Sequence, residues 1–371
     1  MHHEPLISIL IPVYNQAQFL PAALDSLIAQ TYPHWEALAA DDGSTDDTPR
    51  ILAQAAAADA RIRVYRRDNG GCAAALNTAL RQARGRWIGW LSSDDLFEPD
   101  KLEIHLQAMR DHPRIGFFHS HFHYLFDDTG EKTDPDTWRP IPPPRFQVSR
   151  FFEGNYVHGN SVLIRKDILD RAGFFDETLR YGQDFDMWLR ISVAARSHCI
   201  PRRTCVTRWH GGQTTNFFPV AGLYDSCRAC LACLNAHPYR ELFPLLDLAR
   251  PDDAGEAAGE TMRLVLNEGA YMYQLGYNTA LFDRFREWLG EVRSPEAAAR
   301  ARGVACEALR AAAPGGLPQA WRAVLQRALD GGEAIVYRPV PPREVIDACL
   351  ADPEMPERKK DNLRRYLPNL G

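Results

Sequence analysis

The sequence contains no run of about 18 consecutive apolar residues, the length a helix needs to cross a bilayer, so no membrane span is expected. Basic charge is not in excess: 43 Lys and Arg face 48 Asp and Glu, for a net charge of −5 at pH 7. A chain without a broad positive field is not expected to bind nucleic acid. The opening Met1-His2-His3-Glu4-Pro5 lacks the apolar core of a signal peptide, and the first apolar run has the length of a strand. A cytoplasmic location is therefore expected, with the 8 cysteines kept as thiols. No G-x-G-x-x-G follows the first apolar run, which speaks against an NAD-dependent dehydrogenase. The loop at that point, Tyr14-Asn15-Gln16-Ala17, has none of the glycine and Lys or Arg that a nucleotidyltransferase would use to hold triphosphate.

What is present is a chain of 371 residues, enough for about two domains, with 45% hydrophobic and 25% charged residues. Apolar runs of strand length alternate with helical periods through the first half. Strands are predicted at Leu6 to Val13, Trp35 to Ala40, Ile62 to Tyr65, Trp87 to Leu91 and Ile115 to Ser120. Helices are predicted at Ala17 to Gln30, Thr45 to Ala58, Cys72 to Ala83 and Pro99 to Arg110. Further on come a strand at Ser161 to Ile164, a helix at Asp184 to Ala195 and a strand at Cys205 to Trp209. This alternation implies an α/β fold with a doubly wound, mostly parallel, Rossmann-like sheet. After residue 216 the texture becomes Ala, Leu, Arg and Glu at helical period, as in Met262 to Leu289 and Trp321 to Leu329. The expected division is 1–215 for the α/β domain and 216–371 for a C-terminal helical region.

In doubly wound sheets, ligands bind beyond the carboxyl ends of the strands. Polar clusters sit at those ends here: Tyr14-Asn15, Asp41-Asp42, Asn69 and Asp94-Asp95. Asp41 can accept the N3 hydrogen of a uracil ring, and Tyr14 can stack on a base. Asp94 and Asp95 can hold a divalent cation that bridges two phosphates. Asp and Ser also favour turns and helix caps, so each cluster alone has a purely structural reading. Four clusters at successive strand ends weigh against that reading for the set.

As a set, the motifs resemble glycosyltransferase family 2. They are Ile11-Pro12-Val13-Tyr14-Asn15, Asp41-Asp42-Gly43-Ser44-Thr45-Asp46, Asn69-Gly70-Gly71 with Asn77, Leu91-Ser92-Ser93-Asp94-Asp95, Gly173-Phe174-Phe175-Asp176-Glu177 and Gln183-Asp184-Phe185-Asp186-Met187-Trp188. The resemblance covers roughly residues 5 to 215. It implies a GT-A fold and an inverting, metal-dependent transfer of a sugar from a nucleoside diphosphate, expected to be UDP, to a hydroxyl of a saccharide or lipid-linked acceptor. It implies that Pro12, Tyr14 and Asp41 line the nucleobase pocket, and that Asn69 and Gly71 lie along the nucleotide. Asn15, Ser92 and Ser93 belong to the same donor-binding set. Asp94 matches the last acid of the family's DXD motif and is expected to ligate Mn²⁺ or Mg²⁺, with His210 as a further ligand and Asp95 as an alternative one. Asp184 matches the general base. Bacterial cell-surface polysaccharide or glycoconjugate synthesis is the expected setting.

The chain departs from the family at three points. Ser92 replaces the first DXD acid, Gln183 replaces a Glu that often precedes the base, and Leu76 and Thr78 flank Asn77 where Arg and Gly are common. The first departure supports an alternative: a non-catalytic nucleotide-sugar or protein-binding module. Three further patterns have a bland reading. Cys227, Cys230 and Cys233 fit one buried helix face better than a cluster site. His119, His121 and His123 alternate, as on one face of a strand. The basic run Glu357 to Arg365 reads as a solvated helix face, or as peripheral contact with an anionic membrane.

Overall fold

The computed structural model describes residues 4–134, 141–211, 219–266, 275–311, 325–326 and 329–330. The chain divides into two compact units, Met1–Ile141 with Asn155–Phe217, and Pro142–Gly154 with Phe218–Gly371.

The first unit is built on one sheet. Its strands are β1 (Ile7–Val13), β2 (Trp35–Asp41), β3 (Ile62–Arg66), β4 (Trp87–Trp90), β5 (Leu96–Phe97), β6 (Phe117–Phe126), β7 (Lys132–Thr133), β8 (Leu163–Arg165) and β9 (Ser197–Trp209). The order is β3-β2-β1-β4-β8-β6-β9-β5, with β7 paired to β6. Every residue of β2 is buried, as are all of β1 except Pro12, which is why these strands read as unbroken apolar runs. The parallel pairings are the long ones: β1 with β2 and β4, β2 with β3, and β6 with β9. The antiparallel pairings, β4 and β6 with β8, β5 with β9, and β6 with β7, are two or three residues long. The order runs outward from β1 in both directions, so the carboxyl end of β1 is a switch point.

Helices α1 (Leu20–Ile28), α2 (Thr48–Ala58), α3 (Cys72–Arg81), α4 (Lys101–Asp111), α5 (Lys166–Ala172) and α6 (Gln183–Ala194) cover the sheet. Helix α1 buries Leu20, Ala23, Leu24 and Leu27, the i, i+3, i+4, i+7 stripe of an amphipathic helix. Its core partners include Ile9, Ile11, Leu102 and Phe118. Gly71, immediately before α3, has φ +92°, a conformation a side chain would strain.

At the amino ends of β1 and β2, Glu36 is 2% exposed. It accepts from Ser8 Oγ at 2.7 Å, the Arg84 backbone N–H at 2.8 Å, Arg84 Nε at 2.9 Å and Arg63 at 2.7 Å. Burial by itself would raise its pKa, but these bonds outweigh burial and the net shift is downward. A carboxylate depressed in the folded state stabilises at neutral pH, and that contribution fades as pH falls through its folded pKa. Glu36→Gln is therefore expected to cost about 3 kcal/mol at pH 7, because it leaves buried donors short of an acceptor. Urea denaturation should show the difference from the parent protein shrinking below the ordinary carboxylate range. A constant difference down to strongly acidic pH would rule the charge out as the cause.

Two sequence expectations differ from the structure around β6 and β9. Both strands are longer than predicted, and their ladder shifts register on either side of His121. Pro201 has no N–H to donate, and it lies in the stretch the ladder skips between Ile200 and Arg203. The three histidines consequently have different surroundings. His119 is buried, which pushes its pKa down to about 3, whereas His123 Nδ1 lies 3.0 Å from Asp134.

The second unit contains α7 (Pro219–Ala236), α8 (Pro251–Val265), α9 (Leu275–Glu291) and α10 (Pro295–Ala311), with short 3-10 turns at Pro144–Phe146, Ser149–Glu153 and Tyr239–Leu242. Helices α8 and α10 pack on each other, with Gly255 and Gly259 of α8 facing Arg300 and Val304 of α10. Segment 142–154 is tied to α8 by ions. Glu260, 5% exposed, is gripped by both Arg263, at 2.8 Å, and Arg150, at 3.0 Å, and Arg263 also pairs with Glu153. Cys230 and Cys233 are buried on α7. The side chain of Cys227, most of Trp321 to Leu329 and the run Glu357 to Arg365 lie outside the described residues. Among the described residues no helix is long and apolar enough to cross a membrane.

Candidate active site

The loops after β1, β2 and β3 are laced together by the polar residues singled out from the sequence. Asn15 has φ +52° and donates its backbone N–H to Ser44 Oγ at 2.9 Å. Its side-chain oxygen accepts from the Thr45 N–H at 2.8 Å. Gln16 and Ala17 N–H groups donate to Thr48 Oγ1 and Asp46 Oδ2. The Asp-Asp-Gly-Ser-Thr-Asp run thus shapes the loop that carries Tyr14, which is 48% exposed. Pro12 and Val13 pair in register with Ala40 and Asp41.

The two acids of that run differ. Asp42 is consumed by structure: it accepts from the N–H groups of Gly70 at 3.1 Å and Gly71 at 2.7 Å and pairs with Arg67 at 3.0 Å. Its backbone carbonyl accepts from Asn69 Nδ2. Asp41 is 1% exposed and accepts from the Ser44 N–H through Oδ1. Its Oδ2 has no hydrogen-bond donor, although Arg66 lies 3.3 Å away as an ion pair. A buried carboxylate oxygen left short of a donor is costly and invites one from a ligand.

The turn after β4 brings Asp94 to His210, beyond the end of β9. His210 Nε2 lies 3.2 Å from Asp94 Oδ2, and its ring packs on Phe19 with centroids 4.3 Å apart. A cleft of about 280 Å³ is lined there by Asn15, Gln16, Phe19, Asp127 and His210, among others. Asp95 behaves differently from Asp94. It is 4% exposed, accepts from the Arg208 N–H at 2.7 Å and also from Asn160 Nδ2, so both oxygens are committed inside the fold. Burial and the neighbouring Asp94 push its pKa well up. Ser93 is buried, and the N–H of Ser92 donates to Asn160 Oδ1 at 2.7 Å.

Asp184 sits in the first turn of α6. Burial raises its pKa, opposed by hydrogen bonds from the N–H groups of that turn and from Asn155 Nδ2, which lies 3.0 Å from Oδ2. Burial therefore outweighs the helix terminus, which alone would favour the ionised form. Cys72, the first residue of α3, joins the loops electrostatically. Its thiol is pushed up to about 12, first by burial and then by the carboxylates of Asp184, Asp42 and Asp94. Asn77 contributes from α3 as well, accepting from the Phe175 N–H at 2.9 Å and donating to Glu177 at 2.8 Å.

Asn155 and Asn160 were not singled out from the sequence. Each follows a glycine, so the dipeptides read as turns and nothing in them marks the partner side chain. Asp94 and His210 offer one carboxylate and one imidazole, and among the described residues no group of three His, Cys, Asp or Glu side chains forms a closed cage. Such a pair fits a divalent cation that takes its remaining ligands from phosphate oxygens and water.

The family model for glycosyl transferase family 2 matches residues 8–173. An uncharacterised glycosyltransferase of Rickettsia typhi is 33% identical over 221 residues, covering 58% of this chain and 67% of that protein. A putative teichuronic acid biosynthesis glycosyltransferase of Bacillus subtilis is 43% identical over 107 residues, covering 29% of this chain and 42% of its own length. Among solved structures, residues 1–349 of S. aureus TarS in complex with UDP-GlcNAc align with a TM-score of 0.55 at 17% identity, over 89% of this chain and 93% of that one. A mannosyltransferase from Pyrobaculum calidifontis in complex with GDP-Man and Mn²⁺ aligns with a TM-score of 0.52 at 20% identity, over 89% and 86%. With a mostly parallel sheet of the GT-A type and the motifs clustered at its strand ends, the chain belongs to glycosyltransferase family 2.

Proposed function

We propose that the enzyme transfers a sugar, with inversion, from a nucleoside diphosphate to a hydroxyl of a saccharide or lipid-linked acceptor in cell-surface polysaccharide synthesis. The observation that carries this reading is the meeting of Asp94, from the turn after β4, with His210, beyond β9, at 3.2 Å beside the cleft lined by Asn15 and Phe19. The unsatisfied Oδ2 of Asp41 supports a uracil N3–H as its missing donor. Exposed Tyr14 supports stacking on the base face. The TarS complex with UDP-GlcNAc and the teichuronic acid relative favour a UDP-sugar and a cell-surface product.

Asp94 and His210 would hold Mn²⁺ or Mg²⁺, as the Mn²⁺ complex of the mannosyltransferase suggests. Such a cation supplies Lewis-acid neutralisation of the charge that grows on the departing diphosphate. Ser92, in place of an acid, presents a hydroxyl to the donor's ribose. Asp184 takes the proton of the acceptor hydroxyl, and Asn155 holds one carboxylate oxygen so that the other faces the acceptor.

Thermal unfolding tests the donor. At ligand concentrations near 100 times Kd, binding adds about 2.7 kcal/mol of stability. UDP with Mn²⁺ is expected to raise Tm by several degrees, more than UDP alone and more than GDP with Mn²⁺. An equal response to GDP would refute the uracil assignment of Asp41. No response to any nucleoside diphosphate would refute the donor site itself.

A further inference from the structure

We propose that Asn160, Asp95 and Arg208 form a positioning unit that sets Asp94 opposite His210. This rests on the reading that Asp94 and His210 hold the divalent cation.

The two candidate ligands come from unrelated parts of the chain. Asp94 lies in the turn after β4, and His210 follows β9. Strands β4 and β9 do not pair, but β5, which begins two residues after Asp94, pairs antiparallel with β9 at Val206 and Cys205. Side-chain hydrogen bonds add a second connection, closer to the two ligands. Asn160, fully buried, accepts from the Ser92 N–H at 2.7 Å and donates to Asp95 Oδ2. Asp95 uses its other oxygen to accept from the Arg208 N–H at 2.7 Å. Arg208 returns the connection, donating from Nε to the Asp94 backbone carbonyl at 3.1 Å. Its guanidinium also lies 3.0 Å from Asp127 and over the Phe19 ring. Bonds therefore flank Asp94 on both sides and end on the residue two before His210.

The chemistry of each member is specific. Asn160 needs both a carbonyl and an amide, because it accepts from one backbone group and donates to one carboxylate. Asp95 needs two acceptor oxygens in one plane. The unit also explains why consecutive acids, Asp94 and Asp95, have different surroundings: one faces His210 and the other fixes the turn. Groups outside the ligand shell that orient ligands typically change metal affinity by about 10- to 100-fold when removed.

The test measures Mn²⁺ binding to the intact protein in the presence of UDP, by electron paramagnetic resonance of free Mn²⁺. Asn160→Ala is expected to weaken Mn²⁺ binding at least about tenfold, a larger loss than any it causes in metal-free UDP affinity. Asp95→Asn keeps size and shape but retains one acceptor oxygen instead of two, so it should weaken Mn²⁺ binding in the same direction. It also serves if Asn160→Ala fails to fold. Parent-like Mn²⁺ affinity in a folded variant of either residue overturns the positioning role. Asp94→Ala is the control for the underlying reading. If it leaves Mn²⁺ binding intact, the cation site is elsewhere and that reading fails first. If Asp94→Ala abolishes binding while the other two do not weaken it, the cation site stands and only the positioning unit is lost.

Discussion

Asp184→Asn is expected to lower kcat for sugar transfer by about 10²- to 10⁴-fold while leaving the affinity for UDP near that of the parent. The asparagine keeps the shape of the side chain and can still meet Asn155, yet it has no lone pair basic enough to take the acceptor proton. The pH profile gives a second and sharper reading. A base works only when ionised, and burial has raised the pKa of Asp184. Activity should therefore fall as pH drops through a value above the ordinary carboxylate range, and the acid limb should be absent from whatever activity the Asn variant retains. Because the raised pKa favours the protonated folded state, the same carboxylate costs stability at neutral pH, so the variant should unfold at a slightly higher temperature than the parent. Lower activity together with equal or greater stability is a signature that a misfolded protein would not give. Strong residual transfer, or an unchanged acid limb, would remove Asp184 from the base role.

The alternating half of the fold was legible because burial writes itself into parallel strands. In β1 and β2 nearly every side chain is enclosed, so composition alone marks their limits to within a residue. The same logic failed where strands carry polar residues that stay partly or fully exposed. The apolar run predicts a strand over Ile115 to Ser120, whereas β6 runs from Phe117 to Phe126. Strand β9 was predicted from Cys205, because Pro201, Arg202 and Arg203 break the apolar pattern, but it begins at Ser197 and accommodates them by shifts of register. Helix α5 was not predicted; at seven residues it is too short to display a period. The association of segment 142–154 with α8 depends on Arg150, Glu153, Glu260 and Arg263 meeting across about a hundred residues, which no local pattern encodes.

Within the candidate site, acids at strand ends were legible as a group and their division of labour was not. Asp41 and Asp42 look alike in sequence, as do Asp94 and Asp95. The structure separates each pair by what the backbone around it requires. Asp42 meets the N–H groups of the Gly70-Gly71 turn, and Asp95 meets the N–H of Arg208. The neighbouring acids are placed otherwise, with an unfilled acceptor on Asp41 and an imidazole opposite Asp94.

That division makes Asp94→Ala the second variant of large expected effect. Removing Asp94 takes away a carboxylate 3.2 Å from His210, and the loss of a group that stabilises charge developing in the transition state typically costs about 10²- to 10³-fold in kcat. His210→Ala should cost less, because imidazole contributes a neutral donor, and raising Mn²⁺ should recover part of the lost rate. The double variant decides whether the pair acts as one site. Groups in contact couple, so the combined loss should be smaller than the product of the single losses. Steady-state rates across a Mn²⁺ titration measure all three variants. Multiplicative losses would mean that Asp94 and His210 serve different steps, and an unchanged Mn²⁺ requirement in His210→Ala would exclude the imidazole from the metal. Asp95→Ala should act differently from Asp94→Ala, adding a loss of folding stability to its loss of activity, since the Arg208 N–H and Asn160 Nδ2 would be left buried without an acceptor.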